Sequence, residues 1–177
     1  EMPKESFNNG NVTYMAMWAE DPVIAVYIDN VRLKEFCPKK YDFENGDLGG
    51  EFGSNFGTVS VATDPENENN KVLLWNATSQ WSGLLFYKFN HTYLRSEKYD
   101  AYKSVTLRIY ITTDVANVTQ IDSLTAFGVS KGSVETNKWI TVTVSLEDAR
   151  KESDAQIALW DSNLKGYTVY IDDIGVV

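Results

Sequence analysis

The sequence has little of what builds covalent or metal cross-links. Its 177 residues include one cysteine, Cys37, and one histidine, His91. A lone cysteine excludes an intrachain disulfide framework, and these two residues cannot supply a thiolate or imidazole metal cluster. The metal class that remains open is a hard cation bound by oxygen atoms.

Long apolar runs are also missing. No run approaches the ~20 residues of a membrane-spanning helix, and the N-terminus has no signal-peptide pattern. We therefore expect a soluble fragment of a larger protein. With 43% apolar residues, a chain of this length can bury one core, so we expect one globular domain with an added piece.

Positive charge is scarce. The chain has 16 lysines and arginines against 25 aspartates and glutamates, which gives a net charge of −9. Because each contact with a phosphate group needs its own basic side chain, this balance predicts no nucleic-acid partner and no anionic membrane partner.

Apolar residues recur with period two, which is the spacing of β-strands. In "SVTLRIYITTD", Val105, Leu107 and Ile109 point to one face, while Arg108 and Tyr110 point to the other. Helical spacing is confined to a turn at "SLEDARKESD". We predict an all-β protein, a β-sandwich jelly roll of two antiparallel sheets. Besides this segment and "KWITVTVSL", the predicted strands are 56–63, 71–76, 81–89, 125–130, 155–161 and 167–176.

One stretch of the chain is repeated. "AMWAEDPVIAVYIDN" at 16–30 reappears as "ALWDSNLKGYTVYIDD" at 158–173, with one extra residue in the loop. Because the second copy ends the chain, we predict that 37–177 is a complete module. Residues 1–36 are then the C-terminal hairpin of a preceding similar module, or an added strand pair.

Trp160 stands out within the second copy. Alternation places it on the face of Gln156 and Ala158, opposite the aliphatic Ile157 and Leu159. A tryptophan on the outer face of a sheet either covers the edge of the sandwich or serves as a binding platform.

The order of several short motifs resembles a known family. "YDFENGDLGGEFG" opens the module, "KVLLWN", "QWSGLLFYKF", "VTLRIYITT" and "NKWITVTVSL" follow, and "YTVYIDD" closes it. Over roughly 41–177 the chain resembles a jelly-roll carbohydrate-binding module of the family 4 and 22 type, found in xylanases and related glycoside hydrolases. The resemblance implies a non-catalytic module that binds xylan, or secondly β-glucan, in a groove on one sheet. It also implies a covalently linked catalytic domain and a secreted, periplasmic or cell-surface location.

The binding residues that we predict combine the outward pattern with this resemblance. A flat indole matches the apolar face of a sugar ring, so Trp160 is a candidate platform. The resemblance adds Trp81 as a second platform, although Trp81 is equally suited to the core. Gln156 is a candidate hydrogen-bonding partner, and Trp75 and Trp139 are expected to be structural. Further candidates in the groove are Tyr110, Arg108 and, more weakly, Asn76.

The resemblance also implies a structural Ca²⁺. Its ligands would be Glu44 in "DFENG" and Asp172 or Asp173 in "YIDD", with loop carbonyl oxygens completing the shell. The alternative is that the paired aspartates simply form a solvated turn.

The sequence does not favour an enzyme. It has no run of alternating carboxylates such as E-x-D-x-E, the arrangement that flanks a scissile glycosidic bond. His91 lies in a predicted loop, and no Ser-His-Asp order can be built around it. The main alternative to sugar binding is a structural or adhesive β-sandwich that contacts a protein partner.

Overall fold

The computed structural model describes residues 38, 40–80, 82–151, 156–164 and 166–177. Three sequence predictions fall outside these residues: the first copy of the repeat at 16–30, the hairpin at 1–36 and the platform Trp81. The described part belongs to one unit, Pro38–Val177. The division of the chain at residue 37 as the start of a complete module stays a prediction.

The described part contains ten strands and three short helical turns. The strands are β1 (Phe52–Ser54), β2 (Gly57–Asp64), β3 (Asn67–Ala77), β4 (Gly83–Phe86), β5 (Ser104–Thr112), β6 (Gln120–Ala126), β7 (Val129–Glu135), β8 (Trp139–Ser145), β9 (Gln156–Trp160) and β10 (Tyr167–Val176). The helical turns are α1 (His91–Leu94), a 3-10 helix (Glu97–Tyr99) and α2 (Leu146–Ala149). Among the described residues, no helix has the length and apolar character needed to span a membrane.

The strands form two five-stranded sheets. The first sheet has the order β1-β4-β9-β6-β7 and the second has the order β2-β3-β10-β5-β8. All pairings of these strands are antiparallel. The prediction of an all-β sandwich of two antiparallel sheets is therefore confirmed.

The core lies between the sheets and is built by alternation. On β5, Leu107 and Ile109 are buried while Arg108 and Tyr110 face outward. Trp75 on β3 has no exposed surface, and its Nε1–H donates to Ser54 Oγ on β1 at 3.0 Å. This bond joins the two sheets and satisfies the only polar atom of the indole, so Trp75 has the structural role predicted for it.

Two local predictions were wrong. The segment 125–130 is not one strand, because Phe127 and Gly128 have φ values of +48° and +75° and form the two-residue turn between β6 and β7. The Phe127 ring is buried and stacks on Phe86 with centroids 5.2 Å apart, so tertiary packing holds this turn. His91 begins the helical turn α1 rather than lying in a loop.

The helical turn predicted at "SLEDARKESD" is present as α2. Ser145 precedes it, and its Oγ accepts a hydrogen bond from the Asp148 backbone N–H at 3.1 Å. This is the usual way in which a serine side chain satisfies one of the free N–H groups at the start of a helix.

Candidate functional site

Strand β9 lies in the middle of the first sheet and carries Trp160 on its outer side. Ile157 and Leu159 are buried in the core, whereas Trp160 is 38% exposed and Gln156 and Ala158 are partly exposed. The predicted outward placement of Trp160 and Gln156 is therefore correct. We call this surface, made by the outward residues of β1, β4, β9 and β6, the first-sheet face.

The first-sheet face is low beside Trp160 because two of its residues have small side chains. Gly83 on β4 pairs with Ala158 on β9. A Cβ on Gly83 would lie only 2.8 Å from Gln156 Oε1, so the Gln156 side chain lies across the glycine. Asn55 Oδ1 accepts a hydrogen bond from the Gly83 N–H at 2.6 Å. Two amide side chains therefore lie close to Gly83, where the strands themselves have almost no side-chain atoms.

Tyr87 lies at the other end of the first-sheet face and was not predicted. It is 55% exposed, and its backbone N–H donates to Glu51 O at 2.9 Å, which continues the pairing of β1 with β4. A Cβ on Gly53 would lie 2.0 Å from the Tyr87 hydroxyl oxygen, so the phenol lies against the outer surface of β1. The alternation Gly83, Leu85, Tyr87 carried the signal for this placement.

Tyr110, Arg108 and Asn76 lie on the opposite side of the sandwich. Arg108 and Tyr110 belong to β5 and Asn76 to β3, and both strands are in the second sheet. The outer surfaces of the two sheets face away from each other, so one groove cannot contain these residues together with Trp160 and Gln156. The prediction of a single groove containing all of them was wrong, because alternation shows which residues face outward but not on which sheet.

The outward residues of β3, β10, β5 and β8, which we call the second-sheet face, include a row of aromatic rings. Tyr110 pairs with Tyr170 on β10 and with Trp139 on β8, at centroid distances of 6.0 and 5.7 Å. The rings are tilted by 78° and 59° relative to Tyr110, so they pack against each other and do not form a flat platform. Burial raises the pKa of the Tyr110 phenol.

Trp139 is held firmly at the edge of this row. The Arg108 guanidinium carbon lies 4.6 Å from the indole centroid, and the indole Nε1–H donates to Asp64 Oδ1 at 3.1 Å. Burial alone would raise the pKa of Asp64, but hydrogen bonds from Asn70, from the Glu66 backbone N–H and from Trp139 hold that pKa below its usual value. Trp139 therefore supports the ionised form of Asp64.

The predicted calcium ligands lie near this end of the second sheet. Asn70 Nδ2 donates to Asp172 Oδ2 at 3.1 Å, and burial raises the pKa of Asp172. Lys40 Nζ lies 2.6 Å from Asp173 Oδ1, and Glu44 Oε1 accepts from the Lys71 backbone N–H at 3.3 Å.

The three predicted calcium ligands already make contacts with other protein groups. In the part of the chain that the structure describes, no three carboxylate, imidazole or thiolate side chains are grouped as a metal site. Protein donors and Lys40 occupy oxygen atoms of Glu44, Asp172 and Asp173. Glu44, Asp172 and Asp173 line the same pocket, and calcium binding by Glu44 and Asp172 or Asp173 stays a prediction.

No protein-family model and no curated protein matches the sequence. Solved structures do match its backbone. An exo-β-agarase has a TM-score of 0.54 at 15% identity, over 77% of this chain and 24% of that one. The CBM22-2 xylan-binding domain of Paenibacillus barcinonensis Xyn10C has a TM-score of 0.50 at 14% identity, over 78% and 98%. The C-terminal family 22 carbohydrate-binding module of Clostridium thermocellum Xyn10B has a TM-score of 0.50 at 18% identity, over 77% and 92%.

The chain has the fold of these modules. The predicted jelly-roll architecture is thereby confirmed, together with the resemblance at the level of the backbone. The matched region spans nearly all of each isolated module but about a quarter of the agarase. At such low sequence identity the likeness establishes the fold, and the chemistry of the faces has to be argued from this chain's own residues.

Proposed function

We propose that the first-sheet face binds a plant cell-wall polysaccharide without catalysing any reaction, with xylan as the first choice and β-glucan as the second. The observation that carries this proposal is the exposed Trp160 on the same face as the Gln156 amide, which lies over Gly83 where β4 pairs with Ala158. In this role the module holds a covalently linked catalytic domain of a secreted, periplasmic or cell-surface protein close to its substrate.

Stacking on Trp160 supplies the attraction. The face of a pyranose ring carries C–H groups, which contact the indole by dispersion while the hydroxyl groups point sideways. The Gln156 amide can both donate to and accept from those hydroxyls. Because each hydrogen bond replaces one made with water, we expect dissociation constants from micromolar to millimolar, or about 4 to 8 kcal/mol.

The character of the first-sheet face favours a neutral polymer. Its outward positions on β4 and β9, and those on β6 that pair with β9, carry no formal charge: Gly83, Leu85, Gln156, Ala158, Trp160, Ser123 and Thr125. Asp122, exposed at the irregular part of β6, is the acidic residue next to this set. The whole chain has a net charge of −9, which opposes acidic polysaccharides. Binding should therefore change little with salt concentration.

Affinity gel electrophoresis tests this proposal. Native gels contain soluble xylan, mixed-linkage β-glucan or no polymer, and we expect xylan to retard the wild-type protein most. Trp160→Ala should restore the mobility seen without polymer while leaving the melting temperature nearly unchanged. Trp75→Ala is the structural control and should lose about 3 to 5 kcal/mol of unfolding free energy. Unchanged mobility of the folded wild type in every polymer would contradict the proposal, and release of reducing sugar would contradict the non-catalytic role.

The second-sheet face supports one other function. Tyr110, Tyr170 and Trp139 form a partly exposed aromatic row whose tilted rings suit an irregular protein surface better than a flat sugar ring. A structural or adhesive module would bind a protein partner there. Loss of partner binding in Tyr170→Ala, with polysaccharide binding intact, would identify that role.

A further inference from the structure

We infer that Tyr87 is a second stacking residue, and that the bound chain runs diagonally across the first-sheet face from Tyr87 to Trp160. This inference rests on the proposed polysaccharide binding and extends it, because it fixes the direction of the ligand and the shortest ligand that fills the site.

The Tyr87 ring lies against the sheet, on top of Gly53. The side chain is 55% exposed, yet its phenol does not extend into solvent. A Cβ on Gly53 would lie 2.0 Å from the hydroxyl oxygen and 2.7 Å from Cζ, so the ring occupies the space that a side chain at Gly53 would fill. Gly53 faces outward, since its neighbour Phe52 is buried in the core. The ring is thus held against the sheet before any ligand arrives, which lowers the entropic cost of stacking.

The strand register gives the distance between the two aromatic side chains. Gly53 pairs with Leu85, and Leu85 pairs with Gln156. The tip of Tyr87 is therefore level with Gln156, four residues before Trp160 on β9 and two strands away from it. This separation is about 13 Å along the strands and about 10 Å across them. One sugar ring, similar in size to the indole, cannot contact both aromatic side chains, whereas a short chain can.

The path between Tyr87 and Trp160 suits an extended sugar chain. It crosses Leu85, Gly83 and Ala158, which have aliphatic side chains or none. Amide groups lie on this path at Gly83, because Gln156 Oε1 and Asn55 Nδ2 lie 2.8 and 3.7 Å from the Cβ position of that glycine. Apolar ring faces would meet the two aromatic side chains at the ends, and hydroxyl groups would meet the amides between them.

The two aromatic side chains can then contact the same ligand, one at each end of it. A disaccharide that stacks on Trp160 ends before it reaches Tyr87. A longer oligosaccharide bound at Trp160 presents its far end to Tyr87 at high effective concentration, so the second contact strengthens binding. Affinity should rise with chain length until both aromatic side chains are covered.

Calorimetric titration tests this inference with xylobiose, xylotetraose and xylohexaose, and with the matching cello-oligosaccharides if β-glucan is the polymer that retards the protein. Tyr87→Ala should weaken hexaose binding about tenfold and leave disaccharide binding unchanged. Tyr87→Phe should bind like the wild type because it keeps the ring, and Trp160→Ala should weaken every ligand. Tyr110→Ala, a matched substitution on the opposite sheet, should have no effect on any of them.

Gly53→Ala provides a second test that keeps the tyrosine. The added methyl group displaces the phenol, so the hexaose should lose affinity as it does in Tyr87→Ala. Equal hexaose affinity in the wild type, Tyr87→Ala and Gly53→Ala, with weaker binding in Trp160→Ala, would overturn the role of Tyr87 and leave the proposed function standing. If the folded wild type binds no oligosaccharide and no polymer, both the role of Tyr87 and the proposed polysaccharide binding are wrong.

Discussion

The three described tryptophans differ in burial, because neighbouring residues determine how much of each indole is exposed. Trp75 is fully buried, Trp139 is half-buried beneath Arg108, and Trp160 is exposed. Alternation within a strand predicts the core position of the first and the outward position of the third. It cannot predict that Trp139 is fixed by Asp64, because that carboxylate comes from a strand 75 residues earlier in the sequence.

The bond from Trp139 to Asp64 predicts a pH effect. The pKa of Asp64 lies below the usual 3.8. Its contribution to the unfolding free energy is therefore present above pH 3.8 and is lost as the pH falls through the lower, folded-state pKa. Trp139→Phe removes one donor, so the pKa of Asp64 should rise and that contribution should shrink.

Denaturant unfolding across the acid range measures this effect, and the carboxyl carbon shift of Asp64 in NMR reports its pKa. Trp160→Phe is the matched control, because it removes the same atoms on the other sheet and should leave the pKa of Asp64 in place. If the pKa of Asp64 is the same in Trp139→Phe and in the wild type, then Asn70 and the Glu66 backbone N–H lower that pKa without help from Trp139.

At the level of strands, period-two alternation predicted most of the elements. It failed for short strands and for turns that tertiary contacts hold in place. β5, β8, β9 and β10 were found close to their predicted positions. β1 was missed because it has only three residues between glycine-rich segments. The turn at Phe127 was missed because a buried aromatic ring holds a positive φ there, and no local pattern indicates it.

Two glycines in strands should respond differently to the same added methyl group. Gly57 on β2 has φ +143°, and a Cβ there would lie 2.2 Å from the backbone oxygen of Asn76. Gly57→Ala should therefore cost about 1 to 3 kcal/mol of unfolding free energy. Gly83→Ala meets only the flexible end of Gln156 and should cost less, while weakening polysaccharide binding because it displaces the amide.

Urea unfolding and affinity gels on both variants separate these effects. Because Gly57 lies on the second sheet, Gly57→Ala serves as the binding control and should keep its affinity wherever it is folded. Normal retardation of Gly83→Ala would argue against a binding role for Gln156.

At the scale of the whole molecule, the sequence left open how the strands are divided between the sheets. β4 joins the first sheet, β5 the second, β6 and β7 the first, and β8 the second. Two residues that both face outward can therefore lie on opposite sides of the sandwich, as Trp160 and Tyr110 do. The fold class could be predicted from the sequence, whereas a shared binding face could not, because only the order of strands in space determines it.

Calcium binding is a prediction for the whole module. If Glu44 and Asp172 or Asp173 hold Ca²⁺ after a local rearrangement of their present contacts, bound calcium should stabilise the folded state. The melting temperature should then rise with added calcium chloride and fall with a chelator, while retardation by xylan stays the same. Equal melting temperatures in both conditions would exclude a structural ion, and Glu44→Gln provides the matched variant.

The low floor of the first-sheet face has a consequence for how this module can evolve. In the proposed binding mode, Gly53, Gly83 and Ala158 contribute because they lack large side chains. Glycine weakens a strand by roughly 0.5 to 1 kcal/mol relative to alanine, so selection for folding alone gives no reason to keep Gly83. A lineage that no longer needs the ligand would accumulate larger residues at these positions while the two sheets persist. Loss of sugar recognition would thus show as substitutions of Gly53, Gly83 and Ala158 long before the fold changed.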